Sequence, residues 1–198
     1  MNNSLPTLNA NRAYLIEAGI CVDLIKISKR FSSNLKQAII FPYTEINSII
    51  EEAILATQYP QAYLYLKSIK YELEKRDKGK TEKYAAWYAY GWGQGFNVDF
   101  TGKKCFLIPI VYQNNNFNYQ QYRPINRFIH TSCFVIVPKY GYLKQVADIL
   151  KSSYFKEYLS VYGTIMPGTD VHFNKVSANI LKNYPYLSAK SISYAAYK

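Results

Sequence analysis

Apolar positions along this chain recur with two periods, and the change from one to the other divides it into strands and helices. QAIIFPY (Gln37–Tyr43) is a short apolar run that reads as a buried strand stopping at Pro42, which has no N–H for a ladder. Ser48 and Glu51 have capping-box spacing and predict the start of a short helix. Pro60 sits where a first helical residue belongs. From it, Tyr63, Leu66, Ile69 or Lys70, and Leu73 recur at three- to four-residue spacing, predicting one helix to about Lys78, with Gly79 as its stop. CFLIPIVY (Cys105–Tyr112) and FIHTSCFVIVP (Phe128–Pro138) predict two further strands, members of a mixed sheet. The polar stretch between them, Gln113–Pro124, predicts a loop or ragged hairpin. Tyr142–Leu150 and Ser153–Tyr162 predict two helices, the first presenting Tyr142, Val146, Ile149 and Leu150 on one face. The tail from Asn183 predicts a loop. The order of strand, helices, strands and helices defines the class as α+β, a mixed β-sheet with flanking helices.

Composition narrows the classes of function. The chain has 198 residues, 49% of them hydrophobic, which suits a single folded domain with a real core. Its 24 Lys and Arg against 13 Asp and Glu give a net charge of +11. A surface of that sign concentrates polyanions, and charge alone leaves DNA, RNA, an anionic membrane or no such partner open. The first residues lack a basic region followed by an apolar run, and no apolar segment approaches the roughly 20 residues that span a bilayer, so a cytoplasmic protein with no membrane partner is expected. Cys21, Cys105 and Cys133 are odd in number and set in apolar surroundings, and read as buried thiols rather than a disulfide framework.

Signals of catalysis are weak. No phosphate loop with its Lys and Ser or Thr is present, and GWGQG lacks the strand–helix setting of a dinucleotide fingerprint. His130 and Cys133 have no second ligand pair at zinc spacing and read as a core histidine and a buried thiol; His172 stands alone. Glu74 with Lys78 and Glu72 with Arg76 read as ordinary surface pairs. No catalytic residue, metal ligand or cofactor site is assigned within the chain.

Two features point elsewhere. Lys67, Lys70, Lys75, Arg76, Lys78, Lys80 and Lys83 crowd the predicted long helix and its exit, a pattern that can track phosphates without reading sequence. Directly after them comes KYAAWYAYGWGQGFNVDF (Lys83–Phe100), with seven aromatic residues and three glycines among eighteen. Glycines let a backbone come close to a partner, and rings can then lie against it. Gln94, Asn114–Asn116, Gln120, Gln121, Arg123 and Arg127 are of the types that read base edges. The plainer reading, a solvated helix face and a surface loop, is slightly favoured on composition alone.

The order of motifs shifts that balance. IIFPYT (Ile39–Thr44) is followed by YPQAYLYLKSIKYELEKRDKGK (Tyr59–Lys80), WYAYGWGQGF (Trp87–Phe96), KKCFLIPIVY (Lys103–Tyr112), FIHTSCFVIVPK (Phe128–Lys139), ADILKSSYFKEYL (Ala147–Leu159) and NYPYL (Asn183–Leu187). This succession resembles the TaqI-like C-terminal specificity domain, the target recognition domain of N6-adenine DNA methyltransferases and fused restriction–modification enzymes. The likeness runs from about Asn11 to Leu187, and the whole of residues 1–198 is expected to form one such domain around that core. The family carries an arginine just after the first glycine of the aromatic turn; this chain has Trp92 there, while Gln94 is retained. The methyltransferases' catalytic tetrapeptide and Gly-rich cofactor loop are missing from this sequence. The resemblance therefore implies the reading half of such an enzyme: a module for double-stranded DNA that serves a methyltransferase or endonuclease domain or subunit. S-adenosylmethionine, and Mg²⁺ for an endonuclease, are expected only in that catalytic part.

On this reading Lys67–Lys83 hold the backbone of the duplex. The turn with Tyr88, Gly91, Trp92, Gly93 and Gln94 makes the close approach, joined by Arg123 and Arg127. Trp92 stacks where a base has left the helix, as adenine methylation requires. The rival readings are a small nuclease and a protein-docking module that never touches bases.

Overall fold

The computed structural model of the chain describes residues 5–6, 14–27, 37–79, 82–90, 98–113, 116–166, 173–187 and 192–196. The fold is α+β, as the alternation of periods implies. The contacts divide the chain into two compact units, one formed by residues 1–23 and 38–98, the other by 24–37 and 99–198.

The first unit opens with two short antiparallel strands, β1 (Leu5–Pro6) and β2 (Leu15–Ile16). Strand β3 (Cys21–Lys26) begins in this unit, and β4 (Gln37–Ile40) ends in it. Helices α1 (Glu52–Gln58), α2 (Pro60–Ser68) and α3 (Lys70–Glu74) follow. Ile16, Ile20, Ile40, Leu55, Ala62, Leu66 and Tyr88 form the core. Pro60 is at the first turn of α2, as expected. The cap of that helix comes from a distant residue, since the Gln61 and Ala62 N–H groups donate to the two carboxylate oxygens of Glu17 at 2.7 and 2.9 Å. A carboxylate at a helix N-terminus also meets the positive end of the dipole.

Two local expectations are corrected here. Ser48 does not cap a helix. Its N–H donates to Thr44 Oγ1 at 3.2 Å and its carbonyl accepts from the Thr44 N–H at 2.8 Å, closing a tight turn in which Asn47 has φ 65°. Helix α1 starts beyond it, with Glu51 at its N-cap. Nor is Pro60–Lys78 one helix. Ser68 Oγ donates to the Tyr65 carbonyl at 2.6 Å, and the Ile69 N–H bonds back to Leu66 at 3.2 Å, the shorter 3₁₀ pattern. A hydroxyl that competes for a helix carbonyl bends the helix. After α3 comes a 3₁₀ turn, Arg76–Gly79, in which Asp77 and Lys78 have φ of 49° and 60° and Gly79 ends the segment at 81°.

In the second unit β5 (Cys105–Pro109) is buried along its whole length. Next come β6 (Val111–Gln113), β7 (Gln120–Tyr122), β8 (Phe128–Thr131) and β9 (Cys133–Pro138). Helices α4 (Leu143–Lys151) and α5 (Ser153–Tyr162) are where the periodicity places them. Strands β10 (Thr164–Met166) and β11 (Phe173–Lys175), helix α6 (Ala178–Asn183) and strand β12 (Ile192–Ala196) complete the unit. One sheet has the order β12-β9-β5-β7 and another β10-β11-β6. Their pairings are antiparallel, and the strands fall into several small sheets flanked by helices. The two long apolar runs each split in two. Ile110 separates β5 from β6, and Ser132, with φ 62°, separates β8 from β9. Gln113–Pro124 takes the hairpin alternative, with β7 folding back antiparallel onto β5, while the tail, expected to be a loop, contains β12. Phe106, Ile108 and Ile136 from the sheet pack with Val146, Leu150, Phe155, Leu159 and Leu181 from the helices. Among the described residues no helix is long and apolar enough to cross a membrane.

Candidate nucleic-acid interface

The excess of positive charge belongs to the second unit. The first unit has eight Lys and Arg against nine Asp and Glu, a net −1; the second has sixteen against four, a net +12. The Lys67–Lys83 run, conspicuous in the sequence, lies in the unit that carries no net positive charge.

Its members are also engaged locally. Arg76 is a structural residue: Nε donates to the Leu73 carbonyl at 2.7 Å, Nη1 to Ala89 at 2.9 Å and Nη2 to Trp87 at 2.8 Å. Its guanidinium thereby fastens the aromatic segment to the end of α3 and is spent on backbone rather than on phosphates. Lys70 pairs with Glu74 at 3.7 Å and lies over Trp87, 5.0 Å from the ring centroid. Lys67 lies over Tyr63 and Lys75 over Tyr71, at 5.5 and 3.7 Å. Lys83 pairs with Asp77 at 3.3 Å, and Asp77 also accepts from Tyr84 Oη. The Tyr84 bond, then Lys83, holds the Asp77 carboxyl below its ordinary range. Lys78 is exposed on the left-handed turn. The break between α2 and α3 and this turn prevent the cations from forming one helical stripe.

Tyr88 is not available for close approach. It is 4% exposed, and its hydroxyl donates to the Ile50 carbonyl at 2.6 Å. Tyr90 is likewise anchored: its N–H donates to Tyr43 Oη at 2.7 Å and its own hydroxyl to the Ile40 carbonyl. The aromatic segment up to Tyr90 thus packs against its own unit. Lys80, Gly91, Trp92, Gly93 and Gln94 lie outside the described residues.

Four of the second unit's sixteen cations meet at one end of the four-stranded sheet. In the antiparallel register Cys105 faces Tyr122 and Phe106 faces Ile136. The entry to β5, the exit from β7 and the exit from β9 therefore come together, bringing Lys103 and Lys104, Arg123, and Lys139 to the lining of one groove of about 730 Å³. Gly102, Val137, Pro138, Tyr140, Gly141 and Leu143 complete the lining, with no acidic side chain among them. Gly102 and Gly141 turn the chain with φ of 72° and 84°, values that suit glycine. The Gly102 N–H donates to the Pro124 carbonyl at 2.8 Å, and Arg123 Nε donates to the Gly102 carbonyl at 3.0 Å, which fixes the root of the guanidinium fork. Lys103 Nζ donates to the Asp99 carbonyl at 2.7 Å. The Asp99 carboxyl is held below its usual range first by its bonds to Thr101, then by nearby Lys103 and Arg127. Helix α4 starts at this groove with no side-chain cap, so its first N–H groups add partial positive charge. Tyr140, fully exposed, stands at the rim.

Of the predicted residues only Arg123 lines this groove; Arg127 is half-buried in the same unit. Lys103, Lys104 and Lys139 were not singled out in sequence. The signal for them was weak, since pairs and single lysines flanking apolar strands occur on any basic surface.

Cys105, Cys133 and the ring nitrogens of His130 are buried as expected, whereas Cys21, also expected to be a buried thiol, is only partly buried. Cys105 and Cys133 are fully buried, and burial pushes both thiols up to about 12. Cys21, Cys105 and Cys133 are unbridged. No protein-family model, curated protein or solved structure matches the chain.

Proposed function

We propose that this chain is a DNA-recognition module that binds duplex DNA through the basic groove of its second unit and positions a separate adenine-N6 methyltransferase or endonuclease of a bacterial restriction–modification system. The observation that carries the reading is the charge partition, a net +12 gathered in one unit with cations converging at three strand ends. Four cations and no acid among the described lining residues suit a line of phosphates, and the fixed root of Arg123 suits bidentate contact with phosphate or guanine. The restriction–modification context rests on the order of sequence motifs alone. Gln94 reads a base and Trp92 stacks on one, while Lys67, Lys70, Lys75, Arg76 and Lys83 hold contacts within the first unit.

The test is retention of randomised duplexes by the purified chain at low and moderate salt, followed by sequencing. An enriched short motif that survives the higher salt is the expected result. The paired variant Lys104→Ala/Lys139→Ala should weaken binding to every duplex and reduce the slope of log affinity against log salt by about 1 for each lysine. Lys67→Ala/Lys75→Ala should leave both unchanged. No retention of any duplex by the unaltered chain at either salt would overturn the reading in favour of a protein-docking module.

A further inference from the structure

A second groove of the same unit adjoins the basic one and shares Gly141 with it. It has a volume of about 840 Å³ and runs between α4, α5 and the segment after α6. Tyr154 and Tyr158 are four residues apart on α5 and so fall on one stripe of that helix, while Phe155 and Leu159 enter the core. Tyr184, 6% exposed, forms the floor, with its ring edge-on to both Phe155 and Tyr158 at 4.9 Å between centroids. Tyr158 Oη donates to the Ile180 carbonyl at 3.0 Å, which sets that ring in place. At the rim Tyr154 and Tyr186 are 77% and 66% exposed. Two large rings thus stand in water at the rim of a preformed aromatic floor. Lys144 and a single acid, Asp148, also line the groove.

We propose that this tyrosine groove takes an unpaired base of a DNA strand whose phosphates lie along the adjoining basic groove. The inference rests on the DNA-binding reading and adds to it a site for an unstacked nucleotide. Aromatic faces beside a positively charged track are the combination that holds unpaired strands, because every base has a face to stack while the cations hold its phosphates. Charge complementarity selects this occupant over an apolar peptide: the unit is at +12, and the groove opens at Gly141 onto Lys104 and Lys139. Asp148 refines the choice, since a carboxylate accepts from the exocyclic amine of adenine or cytosine, a group thymine lacks.

The test compares three labelled DNAs by fluorescence anisotropy: a plain duplex, the same duplex with one unpaired adenine, and a twelve-nucleotide single strand. Each is titrated with the unaltered chain, with Tyr154→Ala/Tyr186→Ala, and with Lys104→Ala/Lys139→Ala. Both tyrosines are exposed, so their removal should leave the circular dichroism spectrum unchanged. The unpaired adenine should tighten binding by about fivefold or more, as base–aromatic stacking does. That preference should vanish in the tyrosine variant while plain-duplex affinity holds; in the lysine variant both affinities should fall with their ratio kept. Replacing the unpaired adenine by thymine should reduce the preference, and Asp148→Ala, which leaves no acceptor, should remove that difference. Equal affinity for the plain and interrupted duplexes, or a preference that survives loss of the tyrosines, overturns the groove assignment and leaves duplex recognition standing. Tyrosine-dependent binding of the single strand with no binding of plain duplex upholds the groove and overturns duplex recognition. Binding of none of the three overturns both.

Discussion

Burial of His130 links the stability of the second unit to pH. Its ring lies near Phe100 and Phe128, 6.1 Å from each ring centroid, in the interior of the second unit. Burial disfavours the imidazolium and lowers its pKa below the ordinary value of 6.5, with the Cys133 backbone acting in the opposite direction to a lesser degree. In the unfolded chain the ring titrates near its ordinary value. Between the lowered folded value and 6.5 the unfolded state binds more protons, so stability rises with pH across that window. The contribution is complete above 6.5 and is lost as pH falls toward the folded value. The urea midpoint should therefore drop between about pH 7 and pH 5, and His130→Phe should flatten the drop. A midpoint that declines equally in both proteins would assign the effect to another group.

Arg76 has its effect on how elements join. Three backbone carbonyls, of Leu73, Trp87 and Ala89, converge on one guanidinium, which ties the end of α3 to the aromatic segment. Hydrogen bonds to a charged group contribute about 1.5–3 kcal/mol each, and carbonyls left without a donor cost more when partly buried. Arg76→Ala should lower the unfolding free energy by roughly 3 kcal/mol, and Arg76→Lys should recover little of it, because an ammonium cannot span three acceptors in fork geometry. Urea denaturation of the three proteins checks this; a loss below about 1 kcal/mol, the value of a single ordinary hydrogen bond, would mean that the carbonyls find other donors. The same residue marks the limit of sequence reading. Continuous apolar runs and the 3–4 spacing of Val146 and Leu150 disclosed β5, β9, α4 and α5, because burial on one element is a local pattern. The breaks at Ser68 and Ser132 were not legible, since they depend on one hydroxyl and one left-handed residue with no glycine or proline to announce them. Strand β12 was hidden as well, because it draws its order from β9, a partner far back along the chain. The candidate groove was hidden for the same reason: Lys104 and Lys139 meet only through the β5–β9 register, while the more visible cations of Lys67–Lys83 are interleaved with acids.

The division of charge between the two units has a consequence for the whole chain. A unit with a net +12 repels itself when compact, whereas one with a net −1 does not. Salt screens such repulsion over about 10 Å at 0.1 M and about 30 Å at 0.01 M, so raising ionic strength should stabilise the second unit and leave the first almost unchanged. Hydrogen exchange resolves the two: amides of β5 and β9 should gain protection as salt rises, while those of α1 and α2 should not. A polyanion should do the same at far lower ionic strength, because it binds the folded unit and releases its own counterions. Duplex DNA should therefore protect β5 and β9 at low salt, and added salt should reverse this protection even as it supplies screening of its own. Opposite responses to salt with and without DNA would identify the positive field of the second unit as the feature that DNA binding uses. Parallel responses in both units would instead mean that the charges lie too far apart to repel one another, and that the basic groove owes its character to local geometry alone.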